Sequence, residues 1–233
     1  MDVFLAQLEI RNRSGQGCVQ SDGFCPSWIA DNFDRYVDPF WQHVYLTLIS
    51  VGIGFAIAFA LALLAHRRRW LTGPIVGVTG VLYTIPSIAL FLLLLPLTGR
   101  GNTTAIIALV SYTLLIIFRN ITTGLQNVPP EMRDAGRGMG LTDRQLLWKV
   151  ELPLAVPEIL AGLRIAVTTT VGLATLAFFA GSGGLGQQIY TDINFKSNVV
   201  TAGGLAVLLA AVLDVVILGF QRAVTPWRRA ARA

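Results

Sequence analysis

The sequence predicts an all-α protein that crosses a membrane about five times. Three observations lead there. Of its 233 residues, 54% are hydrophobic and only 13% are charged, against about 25% charged in a typical soluble domain. The apolar residues gather into five long blocks, the pattern of a polytopic membrane protein rather than of one water-soluble core. The basic residues gather in alternate segments between those blocks, which is how membrane proteins encode their orientation.

The elements follow in chain order. Residues 1–42 are mixed polar and aromatic and are expected to lie outside the membrane. The first apolar block covers about residues 44–65 and stops at His66-Arg67-Arg68-Arg69. It starts too deep to be the core of a cleavable signal peptide, so none is expected. The second block, about 75–97, contains Pro86 and, near its end, Pro96. Pro86 removes a backbone donor and bends the helix, either as a packing kink or as a bend that lines a path. The third block starts near Thr104 and reaches Arg119-Asn120, but its apolar core is only 105–118. A span needs about 20 residues. This block must therefore extend through polar residues, and it is expected to face protein or a pathway rather than lipid. The fourth and fifth blocks cover about 165–181 and 200–220. The transmembrane domain is thus 43–221, with a loop of about 121–164 inside it and a basic tail at 222–233.

Charge sets the orientation. With the N-terminus outside, the inner segments hold 13 of the 18 Lys and Arg residues, from Arg67 to Arg232. The outer segments keep only Arg11, Arg13, Arg35, Arg100 and Lys196. This positive-inside bias places the loop and the C-terminus in the cytosol. It also accounts for the net charge of +5, leaving no basic stripe with interleaved aromatics for nucleic acid. Cys18 and Cys25 fall on the oxidising side, where they either pair or remain free thiols. Asp214 is the one acid inside a predicted span. A charge at the bilayer centre costs about 2.5–3.5 kcal/mol, so Asp214 must face protein, water or a partner, or be protonated, which leaves an interhelix bond, a subunit interface or the substrate path as its roles. The glycine-rich run at 181–188 reads as a tight turn or part of an outer gate.

The loop reads as ordered structure. Pro129-Pro130 suits a helix start, and Glu131 and Asp134 complement the dipole of its first turns. Gly138 and Gly140 provide a stop. Thr142 with Gln145 forms a capping-box pattern for a second short helix, expected to end before Leu152-Pro153. Pro157-Glu158 is expected to start the helix into the fourth block.

The loop resembles the signature of ABC importer permeases: Glu-Ala-Ala, three residues, Gly, nine residues, Ile, one residue, Leu-Pro. Here Asp134-Ala135-Gly136 is followed after three residues by Gly140, then after nine by Val150, Glu151 and Leu152-Pro153. Asp134 keeps the charge of Glu, Val150 keeps the branched side chain of Ile, and Gly136 replaces Ala. Over about residues 40–220, Tyr83-Thr84-Ile85-Pro86-Ser87, Arg119-Asn120, Gly138-Met139-Gly140 and the run from Gly181 to Gly186 resemble permeases for osmoprotectants such as glycine betaine, choline and carnitine.

The resemblance implies a type I ABC importer permease fold in the plasma (inner) membrane of a prokaryote. Its loop would carry a coupling helix that docks in a cleft of an ATPase subunit. Residues 131–140 would form it, with Arg133 and Asp134 making polar contacts, Ala135 allowing close approach and Gly140 turning the chain. Glu131, Gly136, Leu152 and Pro153 complete the coupling set. The implied partners are an ATPase dimer, a second permease subunit, homologous or identical, an extracytoplasmic substrate-binding protein, and membrane lipid. ATP and magnesium would be used by the ATPase. This chain has no phosphate-binding Gly-x-x-x-x-Gly-Lys-Ser/Thr loop and no converging catalytic residues, so no cofactor, metal or enzymatic step is expected in it. Tyr83, Ser87, Tyr112 and Asn120 are polar groups in otherwise apolar spans and, with Asp214, are candidates for the path or for interhelix hydrogen bonds. The same fold serving another small solute, an amino acid or a sulfonate, is the alternative.

Overall fold

The apolar blocks become helices, the second of them two, and polar contacts at the helix ends show how the helices run. The structure is a computed structural model that describes residues 17–226. The first sixteen residues and the last seven, with Arg11, Arg13, Arg228, Arg229 and Arg232, lie outside the described residues. The elements are α1 (Gly17–Gln20), α2 (Pro26–Asp31), α3 (Val37–Arg67), α4 (Thr72–Thr84), α5 (Ser87–Thr98), α6 (Asn102–Gln126), α7 (Pro130–Gly138), α8 (Asp143–Leu146), α9 (Leu152–Ala174), α10 (Leu185–Thr191) and α11 (Lys196–Val224). Short 3₁₀ turns and one π turn, Leu147–Glu151, join them.

At one end of the bundle, Gln42 of α3 donates to the Ser182 carbonyl and reaches Asn102 Oδ1 at 3.4 Å. There too the Gly101 N–H meets the Ala180 carbonyl at 2.7 Å, and the Tyr36 hydroxyl meets Asn198 at 2.9 Å. At the other end, His66, Arg133, Glu151 and the Leu125 carbonyl converge, and Gln221 donates to the Pro157 carbonyl at 3.0 Å. Hence α3, α6 and α11 run in one direction and α9 in the other. The chain leaves α3 at the arginine-rich end and re-enters α6 at the opposite end, so α4 and α5 together make a crossing. Among the described residues the bundle is crossed five times.

By length and apolarity alone, three described helices suffice to span a membrane, or four if α4 and α5 count as one. The fifth crossing is α9, 23 residues carrying Pro153, Pro157, Glu158 and Arg164. α3 has 31 residues, about 46 Å of helix, and so extends beyond a hydrocarbon core of about 30 Å.

Three sequence expectations are revised. The helix of the fourth block begins at Leu152 rather than at Pro157 and ends at Ala174, because Pro153 sits in a first turn whose N–H groups find no intrahelical acceptor anyway. The connection between α6 and α9 is therefore 127–151, shorter than the 121–164 that its polarity suggests. The second block is broken outright: α4 and α5 meet at 98°. Ile85 is extended, with φ −64° and ψ 128°, as the residue before a proline prefers.

α6 is the axis of the packing. Half (50%) of its most apolar stretch is buried, against 33% in the α3 span and 11% in α11, as its short apolar core suggests. Ala58, Ala62 and Ala65 of α3 share a face and let it close on Ile117, Phe118 and Ile121 of α6, the small-residue packing that membrane helices use. A second cluster joins Leu46, Phe91, Leu109 and Tyr112. His43, buried on α3, donates from Nε2 to the Val171 carbonyl at 3.0 Å and so holds α3 to α9. The run from Gly181 to Gly186 forms a tight turn with left-handed backbone at Gly181, Gly183 and Gly184.

Candidate functional site

The connection between α6 and α9 is built by short-range rules. Pro129 precedes α7 and Pro130 opens it, with Glu131 in its first turn. α7 closes in a Schellman motif: Leu141 N–H bonds the Gly136 carbonyl at 3.1 Å and Gly140 N–H bonds the Arg137 carbonyl at 2.9 Å. This motif needs a left-handed residue, and Gly140 supplies it at φ +80°. Thr142 then caps α8 as the capping box predicts: its backbone N–H meets Gln145 Oε1 at 2.9 Å, and its hydroxyl accepts from the Gln145 N–H at 3.4 Å. Such a cap contributes about 1 kcal/mol. Gly136 has a steric reason for replacing Ala. It is buried, and a Cβ there would stand 2.6 Å from Leu146 Cδ1, so Ala at this position would require the Leu146 side chain to shift.

The side chains of α7 divide into two groups. Glu131, Asp134 and Ala135 are exposed, as are Met132 and Met139. Arg133 turns inward. Its Nε bonds Glu151 Oε1 at 2.7 Å and its Nη2 bonds the Leu125 carbonyl at 2.6 Å. The other carboxylate oxygen of Glu151 lies 2.9 Å from His66 Nε2, at the end of α3. Glu151, only 6% exposed, therefore ties α7, the π turn and α3 into one unit. Leu152 is buried and Pro153 half-buried in the first turn of α9. A cleft of about 740 Å³ lies between these elements, lined by Arg67, Arg69, Arg133, Asp134, Arg137 and Arg144 among others.

Glu151 and His66 are the site residues that sequence reasoning passed over. The signals were an acid flanked by Val150 and Leu152, and a histidine where an apolar helix turns basic. Met132 of α7 and Met139, just past its end, are further exposed, flexible apolar groups there that sequence reasoning did not single out.

The candidate path residues do not form one cluster. Tyr83 and Tyr112 meet edge to face with ring centroids 6.0 Å apart. The Tyr112 hydroxyl bonds the Ile85 carbonyl at 2.6 Å, at the break of the second span. Ser87 opens α5 on the other side of that break. Asn120 lies two turns further along α6, where it bonds the Ile116 carbonyl at 2.8 Å and packs over Gly162. Asp214 pairs with Arg164 of α9 through two hydrogen bonds, both 2.7 Å. This interhelix contact is one of the roles that its position allows. Cys18 and Cys25 are joined to each other, at the end of the bundle opposite the arginines.

The profile of the family described as binding-protein-dependent transport system inner membrane component matches residues 50–230. The osmoprotectant import permease protein OsmW of Salmonella typhimurium is 39% identical over 206 residues, 85% of this chain and 96% of its own length. The glycine betaine/carnitine/choline transport system permease protein OpuCB of Bacillus subtilis is 36% identical, covering 79% of this chain and 86% of its own. Among solved structures, a chain of the inward-facing MetNI methionine ABC transporter is similar with a TM-score of 0.75 and 26% identity, over 82% of this chain and 96% of that one.

Proposed function

Because the chain belongs to the family of binding-protein-dependent transport system inner membrane components, we propose that it is the permease subunit of an ATP-driven importer of osmoprotectants. Its substrates are quaternary ammonium solutes such as glycine betaine, choline or carnitine. The observation that carries the mechanism is the folded connection at 127–151, with the spacing of the importer signature and an exposed outer face on α7. That element is a lever. Arg133 and Glu151 fix it to α3 and to the start of α9, so a displacement of α7 is passed to the spans. Asp134, Glu131 and Ala135, with Met132 and Met139, meet the ATPase. Arg133 positions the lever from inside.

The partners are an ATPase dimer that uses ATP and magnesium, a second permease subunit and an extracytoplasmic binding protein. ATP closes the ATPase dimer, the coupling helices approach, and the path opens toward the loaded binding protein; hydrolysis resets it. The N-terminus lies outside a prokaryotic cell and the C-terminus inside. Two features agree on that orientation: the arginines gather at one end of the bundle, and the joined cysteines lie at the other, where an oxidising compartment would keep them joined. The osmoprotectant relatives are 36–39% identical, the methionine transporter chain 26%, so the amino-acid alternative is not favoured.

The test is uptake of labelled glycine betaine, choline and carnitine by vesicles holding this permease with its ATPase and binding protein. Uptake is expected only with all components and ATP. Failure of the permease to co-purify with any ATPase, with Asp134→Arg and wild type behaving alike, overturns the coupling reading. Uptake of an amino acid in place of all three solutes overturns the substrate reading.

A further inference from the structure

The break in the second span leaves carbonyls at the end of α4 without intrahelical donors. Pro86 has no N–H to offer the Leu82 carbonyl, and the chain turns by 98° before the next helix begins. Of the acceptors there, Val81 takes the Thr84 hydroxyl at 2.8 Å and Ile85 takes the Tyr112 hydroxyl at 2.6 Å. The C-terminal end of a helix carries about half a negative charge. Tyr83 stands on this last turn. It is 41% exposed, whereas Tyr112, against which it packs, is 4% exposed. Tyr112 is thus fixed by its hydroxyl and by its burial, and it presents Tyr83 as an accessible ring. Tyr83 lies 11 residues into α4, about 17 Å along that helix from its start, at the break of a discontinuous span, the kind of place where broken membrane helices hold transported solutes.

A quaternary ammonium group has no N–H. It is held by ring faces and carbonyl oxygens, which attract its diffuse charge without hydrogen bonds. The residues flanking the break, Leu82, Thr84, Ile85, Ser87 and Ile88, are uncharged. The cation would therefore meet an attraction strong enough to admit it and weak enough to release it, as conduction requires. Resting on the proposed osmoprotectant function, we propose that Tyr83, with the open carbonyl end of α4, binds the trimethylammonium group of the solute during its passage, and that Tyr112 is its positioning residue.

The test uses the whole importer, reconstituted with its ATPase and binding protein. Position 83 carries in turn Tyr, Phe, phenylalanines with one, two and three ring fluorines, and Leu. Fluorination barely changes the shape of the ring but drains its negative face. Initial rates of choline and glycine betaine uptake are expected to fall stepwise with fluorine number from the Tyr83→Phe value. Tyr83→Leu should be slower by about tenfold, with ATPase co-purification unchanged. Equal rates across the fluorinated series would overturn the site and show a packing tyrosine only, whether or not the Leu variant assembles. A wild-type importer that moves another solute but no quaternary ammonium would instead overturn the underlying function, and this site with it.

Discussion

Two interruptions of helix shape this molecule, and they are made in opposite ways. The one between α7 and α8 is encoded within a few residues. Gly140 turns the chain, two backbone bonds close the Schellman motif, and Thr142 restarts the helix with Gln145. The one between α4 and α5 is started locally by Pro86 but held from a distance, by a hydroxyl on Tyr112, 27 residues after the carbonyl it bonds. A break closed by its own neighbours is a stiff corner, suited to passing a push from a motor to the spans. A break held by one remote phenol changes its angle when that phenol moves, which suits a path that must open and shut.

The largest effect should follow from removing the stiff corner. Gly140→Val places a β-branched residue at φ +80°, a strain of about 2 kcal/mol. Uptake should fall at least about tenfold, and the ATPase should be lost on purification. Retention of both would mean that the corner is not what couples the subunits. Next comes the anchor beneath it. Glu151→Gln weakens the hold on Arg133 and His66, an effect of about 1–3 kcal/mol. The ATPase should still co-purify, because the outer face of α7 is untouched, but ATP hydrolysis should proceed with less uptake per ATP. An unchanged ratio of uptake to hydrolysis would show that α7 transmits without Glu151.

This contrast also explains what the sequence disclosed. The caps, the glycine stop and the proline start of α7 are rules acting over three or four residues, so the loop could be read before it was seen. The inward turn of Arg133 could not, because its partners Glu151 and Leu125 come together only when α9 packs on α6. Block two looked like one bent helix because its apolar pattern continues through Pro86. The size of the bend depends on α6, which no local pattern reports. Arg164 was read as a topology charge, and its role emerged only when α9 and α11 were side by side.

That pair gives an intermediate effect. Asp214→Ala strands Arg164 inside its span without its partner and should lower the yield of monodisperse protein. Exchanging the two, Arg164→Asp with Asp214→Arg, should restore much of it. If the exchange fails while the alanine variant is well folded, the pair is acting through its surroundings rather than as an interhelix bond.

The smallest effect is the most informative about the remote break. Tyr112→Phe keeps the ring and its edge-to-face contact with Tyr83, and removes only the bond to the Ile85 carbonyl. One such bond contributes about 0.5–1.5 kcal/mol, enough to shift an equilibrium between two angles by roughly two- to tenfold but not to unfold a bundle. Spin labels on α4 and α5 should therefore report a broader distance distribution in Tyr112→Phe than in wild type. Ser111→Ala should leave it unchanged, since that neighbouring hydroxyl bonds only the Ile107 carbonyl of its own helix. If both variants keep the wild-type width, Pro86 and the packing of α5 hold the angle by themselves, and the break is as stiff as the corner at Gly140. If only Tyr112→Phe broadens it, the hinge of the path is governed from α6, the helix whose end carries the carbonyl that Arg133 grips.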